Sequence, residues 1–563
     1  MGTLIQDNHQ RNPESRPRWD RFERAEAFEH YRELRTQGIS ERQAAKELKV
    51  PRTTLQAWRR WHETLDICPH VAAFFQSGPG LAFLHRLVIG LHLVCTEVGA
   101  CGIRLVCLLL KLTGLDRFVA ASYGAQQRVN RQVEESIGAY RETETARLAK
   151  DMSPKDISLT QDETFTGGLC LVGIEPVSNF IILEQLAQAR DQTTWNELLA
   201  PALAQLNCQV IQSTSDEAPA LLAYVEHHLD AHHSPDLFHV QHELGKAVSG
   251  TMARKERAAH KAASEAQERL EQVQAQLQNT HDTSHKRGPG RPPKAPMSLE
   301  QTEDARDGAR REHERLAQQR EQVTQRIRAI GHAYHFVDLE RGVRRNGALI
   351  AGDIQDQMEA VRTIAQEEGL SQNSLDRIDK AARVVPKLRA TIDFVSGYVS
   401  QQVSRLDLTP PVSHAMHARL IPSYYLDRVS RTRTVRAGEP LRELAEQLRA
   451  PLFEPDGVLS HLSSEAQDQL HEKAKTLADV FQRSSSNVEG RNGLLSLRNH
   501  QLRGLELPRK RECLTAIHNF FLTRTDGTTA AERFFGQKPR SMFAWILDSV
   551  ELPPAPLNPP RLS

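Results

Sequence analysis

The sequence predicts an α/β fold with a large added all-α part: a mixed sheet interrupted by a long helical and coiled-coil insertion and preceded by small helical domains. Three observations predict it. Strand-like runs are confined to residues 157–240, helical spacing of apolar residues governs the rest, and a Gly/Pro-rich basic stretch at 285–296 separates two long heptad-like patterns. The chain has 563 residues, 39% of them apolar and 25% charged. That length suits about three to five folded units and excludes a wholly disordered chain. With 72 Lys plus Arg against 71 Asp plus Glu, any contact with nucleic acid must come from locally concentrated charge.

Residues 1–22 are rich in Arg, Asn, Pro and Asp and read as a flexible arm. From 23 to 65 the pattern is compact and helical. Ser40 caps a short helix from Glu41 to Leu48, the chain turns through Pro51, and a second helix starts at Arg52. Ala44, Ala45, Leu48, Val50, Leu55 and Trp58 would form the small core of a helix-turn-helix. The outward positions of its second helix, Arg52, Thr53, Gln56, Arg59 and Arg60, are suited to base edges and phosphates. Residues 66–150 form a second helical unit, in which 102–124 reads equally as a further helix-turn-helix or as plain core. Its apolar run from Leu81 to Leu115 is broken by His85, Arg86, His92, Glu97 and Arg104, so core helices rather than a membrane span are expected.

The first part of the sheet domain spans 151–250. Strands are expected at 157–162, 169–174 and 179–184, then a helix at 195–206, a strand at 209–213, a helix at 218–229 and a strand at 236–240. After Thr251 the strands stop. Ala259, Ala263, Ala266, Leu270, Val273 and Leu277 are answered by Leu316, Val323, Ile327 and Ile330, giving an antiparallel coiled-coil hairpin over 251–331. Its basic tip carries Gly290-Arg291-Pro292, and Arg291 there suits a narrow minor groove as well as it suits a flexible loop. Residues 332–480 are a helical insertion, 481–550 close the sheet domain, and 551–563 form a Pro-rich tail.

Chemistry is expected where carboxylates converge. Asp162 ends the first strand and Asp216 follows the fourth, with Glu163 and Glu217 beside them. Two carboxylates held close together repel unless a cation lies between them, which suits Mg²⁺. A third ligand is expected at Glu489, early in a helix opened by Ser484 to Ser486, on the face shared with Asn492, Ser496, His500 and Arg503. Glu472 and Glu532 are its rivals. From 481 to 540 there are 11 Lys or Arg against 5 Asp or Glu, a net +6, so Arg491, His500 and Arg503 are expected to face DNA. Six histidines lie between 227 and 242, where His228 and His232 have the helical spacing of zinc ligands, although surface and core roles suit them better. Seven cysteines without a C-x-x-C pair read as reduced thiols of a cytosolic protein.

The strand order, the Asp162, Asp216 and Glu489 triad, the amino-terminal helix-turn-helix and the long helical insertion together resemble a bacterial DDE transposase of the insertion-sequence type, with a ribonuclease H-like core. The stretch from Arg524 to Gly536 is similar to the closing segment of such enzymes. The resemblance implies two Mg²⁺ ions, replaceable by Mn²⁺, with Asp162 bridging both and Asp216 and Glu489 each holding one. It implies strand cleavage and transfer on double-stranded DNA, at terminal repeats and target, by a homo-oligomer in the bacterial cytoplasm near the nucleoid, without a membrane. The gap between Asp216 and Glu489 is longer than a fixed spacing would allow, and the Tyr, Arg, Glu and Lys signature of some relatives is absent. A domesticated relative that binds DNA without cutting, or a ribonuclease H-like nuclease, are the alternatives.

Overall fold

A computed structural model of the chain describes residues 19, 21–63, 68–279, 297–501 and 505–556. The amino-terminal helices Arg21–Thr36, Glu41–Glu47 and Arg52–Glu63 surround their own small core. Ala44, Ala45, Val50, Leu55 and Trp58 are buried there, with Leu48 at the margin, and Phe28, Tyr31 and Leu34 of the first helix complete it. The Ser40 hydroxyl accepts from the Gln43 amide and so caps the second helix.

The next helical unit packs against the sheet domain. Helix Gly78–Leu91 runs on through a wider turn to Val98, and this 21-residue stretch is long and apolar enough, by length and composition, to cross a membrane. In the fold it buries Leu81, Leu84, Val88, Ile89 and Leu93 against protein. His92 and Glu97 are buried with them, bonded into helix Tyr123–Lys150 through Asn130 and Gln126. Helix Ile103–Leu112, in the segment read as a further helix-turn-helix, turns Leu105, Leu108, Leu109 and Leu112 to solvent. Such a face offers a phosphate little to bind.

Five strands form one mixed sheet in the order β3-β2-β1-β4-β5: β1 Lys155–Phe165, β2 Leu169–Glu175, β3 Phe180–Leu186, β4 Cys208–Ser215 and β5 His232–Pro235. β1 pairs antiparallel with β2 and parallel with β4; β2–β3 is antiparallel and β4–β5 parallel. Gly167 and Gly168, at φ +70 and +133, make the turn from β1 to β2. A side chain at Gly167 would also meet the backbone of Glu506 at 3.2 Å.

Both sheet faces are covered, as the continuous apolar runs require. Leu159, Leu171 and Leu183 join the core shared with the preceding helices and with helices Gln192–Ala204 and Pro508–Phe520. Cys170, Val172, Ile174 and Ile181 pack under Val488, Leu495, Leu505 and Leu514. The closing segment therefore roofs one face.

The last strand differs from the sequence expectation. β5 is His232–Pro235, and the residues expected as strand, 236–240, instead open the helix Leu237–Asn279. Pro235 ends the ladder, and Leu237, Val240, Leu244, Ala247, Val248 and Met252 give the following residues a helical stripe. Leu237–Asn279 pairs with Leu299–Ala333 as a long helical hairpin burying Ala259, Leu270, Leu316, Val323 and Ile330. Its tip, with Arg291, lies outside the described residues. Helices from Gly347 to Asp479 share one core with the base of this hairpin, through Leu244, Val248, Met252, Val323 and Ile330, and it extends to Phe481. All seven cysteines are free thiols.

Candidate metal centre

Parallel register sets the geometry of the site. Thr160 of β1 pairs with Thr214 of β4, so Asp162 and Asp216 each stand two residues beyond the last matched pair of this ladder. Ser215 pairs with Pro235, and the Asp236 amide donates to the Ser215 carbonyl at 3.1 Å, bringing Asp236 to the same edge. Three neighbouring strands thus bring three aspartates to one edge: Asp216 and Asp236 directly follow β4 and β5, while Asp162, expected to end β1, lies within it, because β1 runs on to Phe165 in its pairing with β2.

The helix Ser486–Gln501 lies over this edge. Asn492 Nδ2 donates to Asp162 Oδ2 at 2.8 Å, and the Glu163 amide donates to Asp162 Oδ1 at 2.8 Å. Burial pushes the Asp162 carboxyl up to about 6. The charges of Asp216 and Glu489 push the same way, against the Glu163 amide and His239. Glu489, one turn before Asn492, is also raised, first by burial and then by Asp236, with His239 opposing. Asp162, Asp216 and Glu489, expected as a triad, are therefore all close enough for these charges to be felt at Asp162.

The tightest ligand group at this edge is a different trio. One ligand atom each from Asp236, His239 and Glu489 lies within 4.8 Å of the others. His239 Nε2 is 3.5 Å from Glu489 Oε1 and 3.8 Å from Asp236 Oδ2. Asp236 is buried, and it accepts from the Ser485 hydroxyl at 2.5 Å and from the Phe238 amide at 2.8 Å. Ser485 leads into the Glu489 helix, so one hydrogen bond joins the two segments. The sequence reading missed Asp236 and His239 because it placed both inside a strand. The available signal was an Asp directly before a helical apolar stripe, with a His three residues on, where a helix puts it back toward the Asp.

The other site expectations divide. Asp216 is exposed and accepts from the Ala218 amide at 3.1 Å, while Glu163 and Glu217 are tied to Arg190 at 3.2 Å and Lys387 at 2.5 Å. Glu472 pairs with Lys475 at 2.5 Å on helix Ser464–Asp479, and Glu532 lies in helix Ala530–Phe535, so neither joins the trio. Arg491 does not face outward. It is buried and grips Glu184 of β3 at 2.5 and 2.8 Å, because the helix turns this position onto the sheet. His500 is exposed, and Arg503 lies outside the described residues.

His228 and His232 do not form a metal pair. The helix ends at Leu229, His228 stacks on Tyr224, and His232 stacks on Phe394 with burial holding its pKa down at about 4. In the amino-terminal domain Arg52, Thr53, Arg59 and Arg60 are exposed. The Glu41 carboxylate accepts from Arg52 at 2.7 Å, from Gln56 at 2.6 Å and from Arg59 at 3.4 Å.

No curated protein and no solved structure matches the chain. Residues 416–561, about a quarter of it, are similar to DUF6399, a family of unknown function, and that stretch holds Glu489 and Asn492 but none of the three aspartates.

Proposed function

We propose that the chain is a metal-dependent DNA-cleaving and strand-joining enzyme of the DDE transposase kind, with a ribonuclease H-like core and an amino-terminal helix-turn-helix that reads the element's ends. One observation carries the reading: Asp162 of β1 and Asp216 after β4 stand at equivalent positions just beyond the last pair of the parallel β1–β4 ladder, and the charge of Glu489, from a helix more than 270 residues later, is felt at Asp162. The strand order and directions agree with it, as does the long helical insertion between the second Asp and the Glu. The proposed enzyme acts on double-stranded DNA as a homo-oligomer in the cytoplasm.

The residues fit a hard divalent cation. Asp236 and Glu489 offer carboxylate oxygens, which suit Mg²⁺, His239 adds a nitrogen that Mn²⁺ also accepts, and Asp162 and Asp216 are the further carboxylates at this edge. Bound there, the metal would polarise a phosphodiester oxygen and make water or a 3′-hydroxyl a better nucleophile. Asn492 fixes the Asp162 carboxylate, and Ser485 fixes the buried Asp236.

A non-cutting DNA-binding relative is the second reading, and His239 favours it. Its Nε2 lies 3.8 Å from Asp236 and 3.5 Å from Glu489, so the imidazole occupies the space between the two carboxylates without a metal. The two readings separate in a nicking assay. Full-length protein with Mg²⁺ or Mn²⁺ should nick duplexes bearing the inverted repeats that flank its gene. Asp162→Asn and Glu489→Gln should bind the same duplex and not nick it. Equal nicking by Asp162→Asn would overturn the enzymatic reading, and no nicking by the wild type would favour the second.

A further inference from the structure

The helix that begins beside the candidate metal centre carries a second feature. On Leu237–Asn279, residues 239, 243, 246, 250, 254 and 257 follow one another at steps of four, three, four, four and three. At about 100° per residue they fall within a strip roughly 80° wide, so His239 heads a single line of side chains along the helix. Beyond Glu243 the line contains Lys246, Gly250, Arg254 and Arg257. It borders a groove of about 400 Å³ whose opposite wall is the start of helix Gln372–Ala382, with Ser374 and Arg377.

The charge of this groove is one-sided. Lys246 pairs with Glu243 at 3.1 Å. Arg254, Arg257 and Arg377 are exposed; Arg254 and Arg257 form no ion pair with a carboxylate among the described residues, and Arg377 shares the charge of Glu243 with Lys246. Arg254 instead reaches the Thr251 hydroxyl at 3.2 Å, and Arg257 the Ala253 carbonyl at 3.0 Å, which lays both side chains along the helix. The nearby acids are committed elsewhere: Glu256 to Arg320, and Glu368 to Lys255 and Arg315. The floor at Gly250 is open, since a side-chain carbon placed there would meet nothing within 4 Å. In a chain of net charge +1, four cations around one open groove, with one acid, are a local concentration rather than the average surface.

We infer that the groove between helices Leu237–Asn279 and Gln372–Ala382 is a track for the phosphate backbone of duplex DNA, leading along one helix face into the carboxylate cluster at Asp236 and His239. The direction of the track rests on the proposed function; the binding of phosphates does not. From His239 to Arg257 the helix rises about 27 Å, roughly the span of eight phosphates on one strand. Guanidinium groups on a small-residue floor allow close approach of phosphate oxygens and read no bases, so the contact is independent of sequence.

The test uses full-length protein and a fluorescein-labelled 30-base-pair duplex of arbitrary sequence, with affinity measured by anisotropy across a salt series. Arg254→Ala, Arg257→Ala and Arg377→Ala combined should weaken binding by about tenfold or more at 0.1 M salt. The slope of log affinity against log salt should become shallower by about 2 to 3, near 0.9 for each phosphate that is no longer neutralised. The same three positions changed to Lys should keep the wild-type slope, which a folding defect would not allow. An Ala variant with wild-type affinity and slope overturns the inference, as does a Lys variant that loses as much as the Ala variant. Nicking measured on the same samples separates the two readings. A wild type that never nicks, beside an Ala variant that loses the slope, removes the enzymatic reading and leaves the track; nicking with an unaffected Ala variant does the reverse.

Discussion

Asn492 donates to Asp162 at 2.8 Å across 330 residues of sequence, and this bond ties the helix of the closing segment to the central strand of the sheet. It fixes the carboxylate and, through the helix, the place of Glu489 one turn earlier. The other Asn492 side-chain atom, Oδ1, is buried with no hydrogen-bond partner in the protein. Removing an amide that orients a ligand commonly costs 10- to 100-fold in metal affinity. Asn492→Ala should therefore raise the Mn²⁺ concentration needed for half-maximal nicking by about that factor, with the thermal midpoint in metal-free buffer nearly unchanged. An unaltered Mn²⁺ dependence would mean that Asp162 needs no such support.

The first four strands were legible because they are apolar and punctuated, but the end of β1 was not: Asp162 was set at its close, and the strand runs on through Glu163, Thr164 and Phe165 because β2 supplies them with a partner. The amino-terminal core was legible too: Ala44, Val50, Leu55 and Trp58 fix one packing solution. Asp236 and His239 were not, because a short apolar run after a proline reads as strand or helix alike, and only the downstream stripe through Leu244, Val248 and Met252 decides it. Arg491 misled for a different reason. Net charge over a segment says nothing about which cation a buried acid has claimed, and Glu184 lies on β3, some 300 residues away in sequence.

Glu41 engages Arg52, Gln56 and Arg59, the side chains that the proposed function would turn to DNA. Its carboxylate is held below the usual range, first by the hydrogen bond from Arg52 and then by that from Gln56. A phosphate approaching Arg52 or Arg59 must displace this acid. Glu41→Gln should tighten binding to duplex DNA by about threefold or more and steepen its salt dependence. Stability should change by less than about 1 kcal/mol, as for other exposed pairs. Weaker binding in the variant would mean that Glu41 presents the arginines to DNA.

The Arg491–Glu184 pair is a fold element rather than a DNA contact. Burial disfavours an ionised Glu184, but Arg491 and the Thr515 hydroxyl, at 2.9 Å, outweigh it and hold its carboxyl below the ordinary value. Taking away one partner strands the other in the core at about 3 to 5 kcal/mol. Arg491→Met should lower stability to urea by that order, and Glu184→Gln in the same chain should restore part of it. At temperatures where the variant is folded, its salt slope for DNA should equal that of the wild type. A stable Arg491→Met protein with a shallower slope would return Arg491 to the DNA surface.

Glu144 offers a test of how the carboxyl-terminal segment is held. Its buried carboxylate receives Arg147 and both the amide and guanidinium of Arg540, at 2.7 to 3.1 Å. Burial alone would raise its pKa, but these bonds prevail and bring it down to about 2. A depressed pKa stabilises the fold above the ordinary glutamate value, and that stabilisation drains away as pH falls through the folded value. Glu144→Gln should therefore cost on the order of 2 kcal/mol near pH 7, with a constant deficit down to about pH 5. Between about pH 4.5 and pH 2 the gap from wild type should narrow, because both chains then carry an uncharged group there. Urea unfolding at stepped pH reads the difference directly. A gap that stayed level through that window would mean that the Arg540 contact contributes shape and not charge.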